Sequence, residues 1–441
     1  MAANARVLIV ARDDQLASEL AGGLDRLGWR TVTARGLQGA IAAIDDLPVE
    51  ACVVDLADVG GDIPFLAERL KAAAAPRRLP ILALGAPDPM LETWGYDIVL
   101  SPPVHPAQAA LRLEALLRAA VAEEEFVLRR ETFADRGKVF ETGENDAGPL
   151  RILTVGEPAP KFLALAHALT QGGTELVGAF TAYTAFDYLH DRSFDAVVLW
   201  AGEAHAEALS IASGMRRNTR LYHIPTVLYL REGAEVAYAE AFHRGLSDVA
   251  TAETPESETA RRVIALARAY RRETAIRNAL DRARSSGLMD AATGLFTRDL
   301  FASHLGRLAN SARARRRPMS VAVLRIAERP DTAKMRSEGW LDRAIPQIGS
   351  MIGRLVRAED TAARLGPDLF ALALPAADLA SAKVAADRIA AVIACTAFEA
   401  GEARQPFTID FEIGVAQLES GETAAKTLER AAAGAPARKA V

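Results

Sequence analysis

The chain has 441 residues, with 52 Lys and Arg against 57 Asp and Glu, for a formal net charge of −5. At about 150 residues per domain this length predicts about three domains, and 25% charged with 50% hydrophobic residues describes a globular chain rather than a basic nucleic-acid binder. Two distant cysteines, Cys52 and Cys395, argue against a disulfide framework or a cysteine zinc site, and the seven histidines nowhere cluster at i, i+3 or i, i+4, so no metal centre is expected.

The first apolar run, Val7 to Ala11, is too short for a signal-peptide core. No uncharged apolar stretch approaches the roughly 18 residues of a membrane span, so a cytoplasmic protein without membrane insertion is expected. From Arg6 the β-branched run RVLIV precedes a helical pattern (Leu16, Leu20, Leu24), and ACVVD, PILALG and DIVLS follow as short strands. Buried strands alternating with helices predict a doubly wound parallel sheet. The plan recurs from Leu150 as RILTV, a helix around Phe162 to Leu169, FDAVVLW, IPTVLYL and SDVAT, an internal repeat of one module. Between the copies, residues 123–149 are charged, contain glycine and lack steady periodicity, which reads as a helix tail plus linker.

After the second copy, residues 257–286 carry Val263, Leu266 and Tyr270, and later Ile276, Leu280 and Ala283, at spacings of three and four within each group. That pattern fits a long stalk helix contributing to dimer packing, or the module's own last helix. From Met289 onward, the strands SVAVLRI, LFALALP and FTIDFEIGVAQL alternate with amphipathic helices, as in an α+β domain with an antiparallel sheet. The expected division is 1–122, a linker 123–149, 150–272, a stalk end 273–288, and 289–441.

Three motifs carry a family resemblance: the Asp that ends ACVVD in the first module, and DAATGLFTR and RAEDTAARLGPDLF in the last domain. The repeated modules resemble response-regulator receiver domains, which have a flavodoxin-like fold, and the last domain resembles the GGDEF domain that makes cyclic di-GMP. In a receiver, an Asp ending the third strand accepts a phosphoryl group, an acidic pair after strand one holds Mg²⁺, and a Lys after strand five contacts the phosphate. The resemblance makes Asp55 the candidate phosphoacceptor. Ala11 and Arg12 directly follow RVLIV, with Asp13 and Asp14 one step late; Gly85 stands for the switch Ser/Thr and Pro102 for the Lys. In the second copy Trp200 takes the phosphoacceptor place and Ala252 that of the Lys, which leaves an interaction module.

DAATGLFTR, from Asp290 to Arg298, resembles the family's D-x-L-T-G-L-x-N-R, with Thr297 for Asn. RAEDTAARLGPDLF aligns without a gap onto R-x-x-D followed by G-G-D/E-E-F, so the signature has become Gly366, Pro367, Asp368, Leu369 and Phe370. Cyclases need a glycine turn so that backbone can approach GTP, and carboxylates that hold two metals on the triphosphate. Pro367 adds a ring and deletes an N–H, Asp368 keeps one carboxylate, Leu369 loses another, and Arg325 stands where a metal-binding carboxylate belongs. Ala333 replaces the Asn that reads guanine, while Asp342 matches the second base contact. The C-terminal ERAAAGAPARKAV lacks the family's Asp and Tyr, so the resemblance implies a degenerate cyclase without activity.

Arg357 and Asp360 preserve the R-x-x-D that binds cyclic di-GMP in this family, and Arg388 aligns with its second arginine. An Arg fork grips phosphate or stacks on guanine, and an Asp three residues on accepts from guanine N–H groups. Taken alone the pair also fits a surface i, i+3 ion pair, and Arg192 to Asp195 is a second match. The run RARRRP, Arg313 to Pro318, fits a solvated loop, a supplementary phosphate contact or a nucleic-acid or lipid patch. The domain order with these losses is similar to noncatalytic response regulators of this family. Such members imply a cyclic di-GMP effector, a homodimer, a place at a cell pole, and protein partners in an adaptor complex feeding a ClpXP-type protease; a ligand-independent dimeric scaffold is the alternative.

Overall fold

Three five-stranded sheets follow one another along the chain in the computed structural model, which describes residues 5–435 apart from 59–62, 87, 89, 102–103, 140–147, 158, 202–204, 219, 232–235, 283–286 and 401–404. The first comprises β1 (Arg6–Val10), β2 (Arg30–Ala34), β3 (Ala51–Asp55), β4 (Ile81–Leu84) and β5 (Ile98–Leu100), all parallel in the order β2-β1-β3-β4-β5. Around it lie α1 (Asp14–Arg26), α2 (Gly36–Asp46), α3 (Ile63–Ala74), α4 (Met90–Thr93) and α5 (Pro106–Ala134). Strands β3 and β4 are buried end to end because helices cover both faces, which is why ACVVD and ILAL read as unbroken apolar runs.

The second sheet repeats that plan with β6 (Leu150–Val155), β7 (Thr174–Ala179), β8 (Ala196–Ala201), β9 (Thr226–Leu230) and β10 (Asp248–Ala250), parallel in the order β7-β6-β8-β9-β10. Its helices are α6 (Pro160–Gln171), α7 (Ala182–Asp191), α8 (Ala206–Arg217), α9 (Tyr238–His243) and α10 (Glu256–Arg282). Both sheets have the flavodoxin-like 2-1-3-4-5 order. The third contains β11 (Phe296–Thr297), β12 (Met319–Ile326), β13 (Thr361–Gly366), β14 (Leu369–Pro375) and β15 (Phe411–Gln417) in the order β11-β13-β14-β12-β15. With it go α11 (Arg298–Ala314), α12 (Pro330–Ser337), α13 (Trp340–Leu355), α14 (Leu379–Ala394) and α15 (Ala424–Ala433). The expected antiparallel sheet is corrected to a mixed one: β12, β14, β15 and β13 pair antiparallel, but the short β11 joins β13 in parallel. Two residues, Phe and Thr, are too few for a period-2 signal to mark that edge.

Helix α5 joins the three units. Pro106 pre-sets its first turn, and the His105 ring caps it by accepting from the Ala107 N–H. Ala109, Leu113 and Leu117 bury against the first sheet. The helix then runs on through Glu123–Ala134, and Phe133 packs in the core of the third unit with Phe296 and Phe301. On another face, Arg112 is ion-paired with Asp248 at the start of β10, and Gln108 Nε2 donates to the same carboxylate at 3.1 Å. Arg262 of α10 lies 3.7 Å from Asp248, and Glu258 accepts from Ser101 and Arg262. The two parallel-sheet units therefore meet through a buried ionic cluster built on α5, β10 and α10.

Candidate functional site

Asp55 stands at the end of β3, buried, with its Oδ1 accepting from the Ala57 N–H at 3.2 Å. The two acidic residues after β1 are engaged elsewhere: Asp13 caps α1 by accepting from Gln15 and Leu16, and Asp14 pairs with Arg35. Pro102 lies outside the described residues. In the second unit, Leu199 faces Val155 as Val54 faces Val10, so Trp200 and Asp55 occupy equivalent strand ends. The indole fills its place thoroughly. It stacks on Tyr229 at 4.5 Å and 7°, meets Phe162 edge-on at 5.6 Å, and lies under the Arg231 guanidinium at 5.3 Å. Gly156 gives way to it, since a Cβ there would come within 2.7 Å of the Trp200 Cβ.

In the third unit, Gly366 and Leu369 flank the β13–β14 turn. Arg325 on β12 faces Leu369 on one side and Glu412 on the other, and its Nε donates to the Ala435 carbonyl at 3.1 Å. Asp368 accepts the Ile326 N–H with its carbonyl at 2.9 Å, while its carboxylate sits 3.3 Å from Arg336, which also holds Glu328 at 2.8 Å. Arg364 binds the carbonyls of Gly366 and Pro367. The one retained carboxylate thus has a guanidinium partner already. Arg336 places positive charge beside Asp368, and Arg325 stands on the neighbouring strand across from Leu369. Among the described residues, no three His, Cys, Asp or Glu converge as a metal site. Ala333, in α12, offers only a methyl group.

The turn between α13 and β13 collects the other three candidates. Arg357 follows the helix C-terminus, where a cation is favoured by the helix dipole, and its side chain is 45% exposed. Asp360 is only 8% exposed and uses Oδ2 to accept the Arg357 N–H at 2.9 Å, closing the turn. Arg388 reaches over from α14, exposed, and donates through Nη2 to the Leu355 carbonyl at 3.1 Å. Between Arg357 and Asp360 lies Glu359, buried, 3.7 Å from the Arg357 guanidinium. Burial, with Asp360 beside it, pushes Glu359 up to about 7 despite that arginine, and burial raises Asp360 as well.

Sequence reasoning missed what lies beneath this turn. Arg129 of α5, fully buried, donates to the Asp360 carbonyl at 2.8 Å and the Thr361 hydroxyl at 3.2 Å, and its Nε lies 2.6 Å from Glu125. Glu125 in turn accepts from Thr361 at 3.2 Å and contacts His304 Nε2 at 2.9 Å. His304 sits on the buried face of α11, where burial holds it below its ordinary range. The i, i+4 pair Glu125 and Arg129 was present in the sequence, but inside a charge run that normally marks a solvated face.

Residues 287–439 match the family model described as "Diguanylate cyclase, GGDEF domain". "Response regulator PleD" of Caulobacter vibrioides is 23% identical over 238 residues, 54% of this chain and 52% of that protein, so the chain spans about half the length of the curated relatives it matches. Among solved structures, the FimX GGDEF domain of Pseudomonas aeruginosa is 23% identical, covering 34% of this chain and 91% of that one at a TM-score of 0.31. The DgcB GGDEF domain of Caulobacter crescentus, solved in complex with c-di-GMP, is 24% identical over 33% of this chain and 84% of that one, TM-score 0.31. Diguanylate cyclase SiaD of P. aeruginosa, solved with its activator SiaC, is 23% identical over 40% of this chain and 68% of that one, TM-score 0.31.

Proposed function

We propose that the chain is a cyclic di-GMP effector that makes no cyclic di-GMP itself. The observation that carries this reading is the α13–β13 turn. Arg357 and Asp360 belong to that turn and Arg388 reaches it from α14, with both arginines accessible and the turn's backbone fixed from below by Arg129. Two guanidinium forks beside a carboxylate suit a ligand with phosphates and guanine edges. The turn at Gly366 supports the negative half, because Pro367, Leu369, Ala333 and Arg325 replace the groups a cyclase needs and Arg336 engages Asp368. The first two units then act as receiver-like interaction modules, the second with Trp200 plugging its phosphoacceptor place.

The domain order and pattern of losses resemble PopA, a noncatalytic relative of PleD. That resemblance extends the proposal to a dimer at a cell pole, recruiting partners for cell-cycle-regulated ClpXP proteolysis. A ligand-independent scaffold is the second reading, favoured by one observation: the Asp360 carboxylate is buried and already committed to the Arg357 N–H. The test is photocrosslinking of labelled cyclic di-GMP to the full chain, alongside incubation with GTP and Mg²⁺. The effector reading expects labelling that unlabelled cyclic di-GMP competes away, loss of labelling in Arg357→Gly, and no product from GTP. Absent labelling supports the scaffold, and product formation would restore the cyclase.

A further inference from the structure

The run RARRRP, Arg313 to Pro318, takes no part in the turn at Gly366 or in the one after α13, and it is not simply a solvated loop. Arg317, just ahead of β12, is 8% exposed. Its Nη1 donates to Glu124 of α5, whereas its Nε and Nη2 are buried with no hydrogen-bond partner among the described residues. Arg315 lies 3.2 Å from the same carboxylate. A third arginine, Arg77 in the connection between α3 and β4, is 7% exposed. Its Nη1 is buried without a partner, and its side chain has no ion pair among the described residues. Burial and the field of Arg317 together hold the Arg77 guanidinium below its ordinary range, which places the two cations within electrostatic reach of each other.

The carboxylates at hand do not balance these guanidinium groups. Glu124 is shared by Arg315 and Arg317 and also accepts the Arg78 N–H at 2.7 Å. Glu123, next to it on α5, is taken by Arg78 and Arg272. Glu50, ahead of β3, is the other carboxyl that acts on Arg77, and burial raises it, so it keeps a proton more readily than a free glutamate and opposes less positive charge. A buried cation without a partner is strongly unfavourable. Buried donors left open in a native fold mark the place of a water or an ion. A water satisfies a donor but neutralises nothing, so the charge excess selects an anion.

We propose that Arg77 and Arg317 hold a small inorganic oxyanion of the phosphate class. Each guanidinium presents a planar fork of N–H groups that matches two oxygens of such an ion, a geometry that a spherical halide does not use. The burial of both side chains favours an ion of this size, since the base and sugar of a nucleotide would have to displace packed chain. The anion supplies the charge that Glu124 and Glu50 do not, and it accepts from the Arg77 Nη1 and Arg317 Nη2 groups that are otherwise left open. This site is separate from Arg357, Asp360 and Arg388, and it stands whether or not those residues bind cyclic di-GMP.

The experiment compares the full chain with its Arg77→Met variant, using inorganic phosphate as the probe and chloride at matched ionic strength as the control. Calorimetric titration of the parent with phosphate should show saturable binding, weakened at least about tenfold in Arg77→Met by loss of a charge-assisted hydrogen bond. Thermal unfolding gives a second readout, with phosphate raising the parent midpoint by about 2–4 °C over chloride and leaving the variant unmoved. In phosphate-free buffer Arg77→Met should unfold at or above the parent midpoint, because it removes a buried cation that has no partner there. That sign separates a ligand-binding arginine from one that merely supports the fold, whose loss would lower the midpoint in either buffer. The proposal is overturned by a parent that takes up no phosphate, by a variant that binds it as the parent does, by chloride acting as strongly as phosphate, or by a variant less stable than the parent without phosphate.

Discussion

Replacing Arg129 by Met tests how the turn is supported. The side chain is fully buried and performs two tasks, donating to Asp360 and Thr361 and neutralising Glu125, itself 1% exposed. Met fills much of the volume but performs neither. Breaking a buried ion pair by removing one partner costs about 3–5 kcal/mol, because the remaining charge is left without compensation, and His304, held below its ordinary range by burial, offers little positive charge in exchange. We therefore expect Arg129→Met to lower stability by about 3–5 kcal/mol, read from urea midpoints. Adding Glu125→Gln removes the stranded charge while keeping an acceptor and a donor for His304 and Thr361. The double variant should recover most of the loss and lie within about 2 kcal/mol of the parent. A single variant costing under about 1 kcal/mol, or a double as unstable as the single, would refute this account of α5.

Three further outcomes follow from the same kind of argument. Because burial pushes Glu359 up to about 7, above the roughly 4.3 of a free glutamate, the folded chain holds a proton that the unfolded chain has released. Its contribution is full below about pH 4.3 and lost as pH rises through 7, so Glu359→Gln should flatten the fall in stability over that window, and an unchanged pH profile would contradict the assignment. Trp200→Asp should cost about 3–5 kcal/mol by emptying the aromatic stack, and acetyl phosphate should not label it, checked by phosphate-affinity electrophoresis. Asp248→Ala leaves Arg112 and Arg262 buried without their shared carboxylate and should cost about 3–5 kcal/mol in thermal or urea unfolding.

The two parallel sheets were legible because β-strands buried on both faces must be apolar throughout, and ACVVD and AVVLWA could hardly be anything else. The equivalence of Asp55 and Trp200 was legible for the same reason, since position along a buried strand fixes the strand-end residue. The reach of α5 was not. Its second half reads EEEFVLRRETF, where charges suggest solvent, yet Glu125 and Arg129 are buried by pairing with each other and with a turn more than 200 residues later in the chain. A pairing of that kind leaves no local periodicity. The site was legible in part: the spacing of Arg357 and Asp360 pointed to one turn, and Arg388 docks beside it. The accessible surface of Asp360 was overestimated, because a side chain that closes its own turn is withdrawn from solvent.

Cyclic di-GMP binding is the central claim, and calorimetric titration of the full chain beside Arg357→Gly and Asp360→Ala variants of confirmed fold tests it most directly. The account expects saturable binding by the parent and loss of that binding in Arg357→Gly, with Asp360→Ala weakened because its turn is no longer closed. A parent that gives no heat and no saturation with cyclic di-GMP, or an Arg357→Gly variant that binds as the parent does, would contradict it.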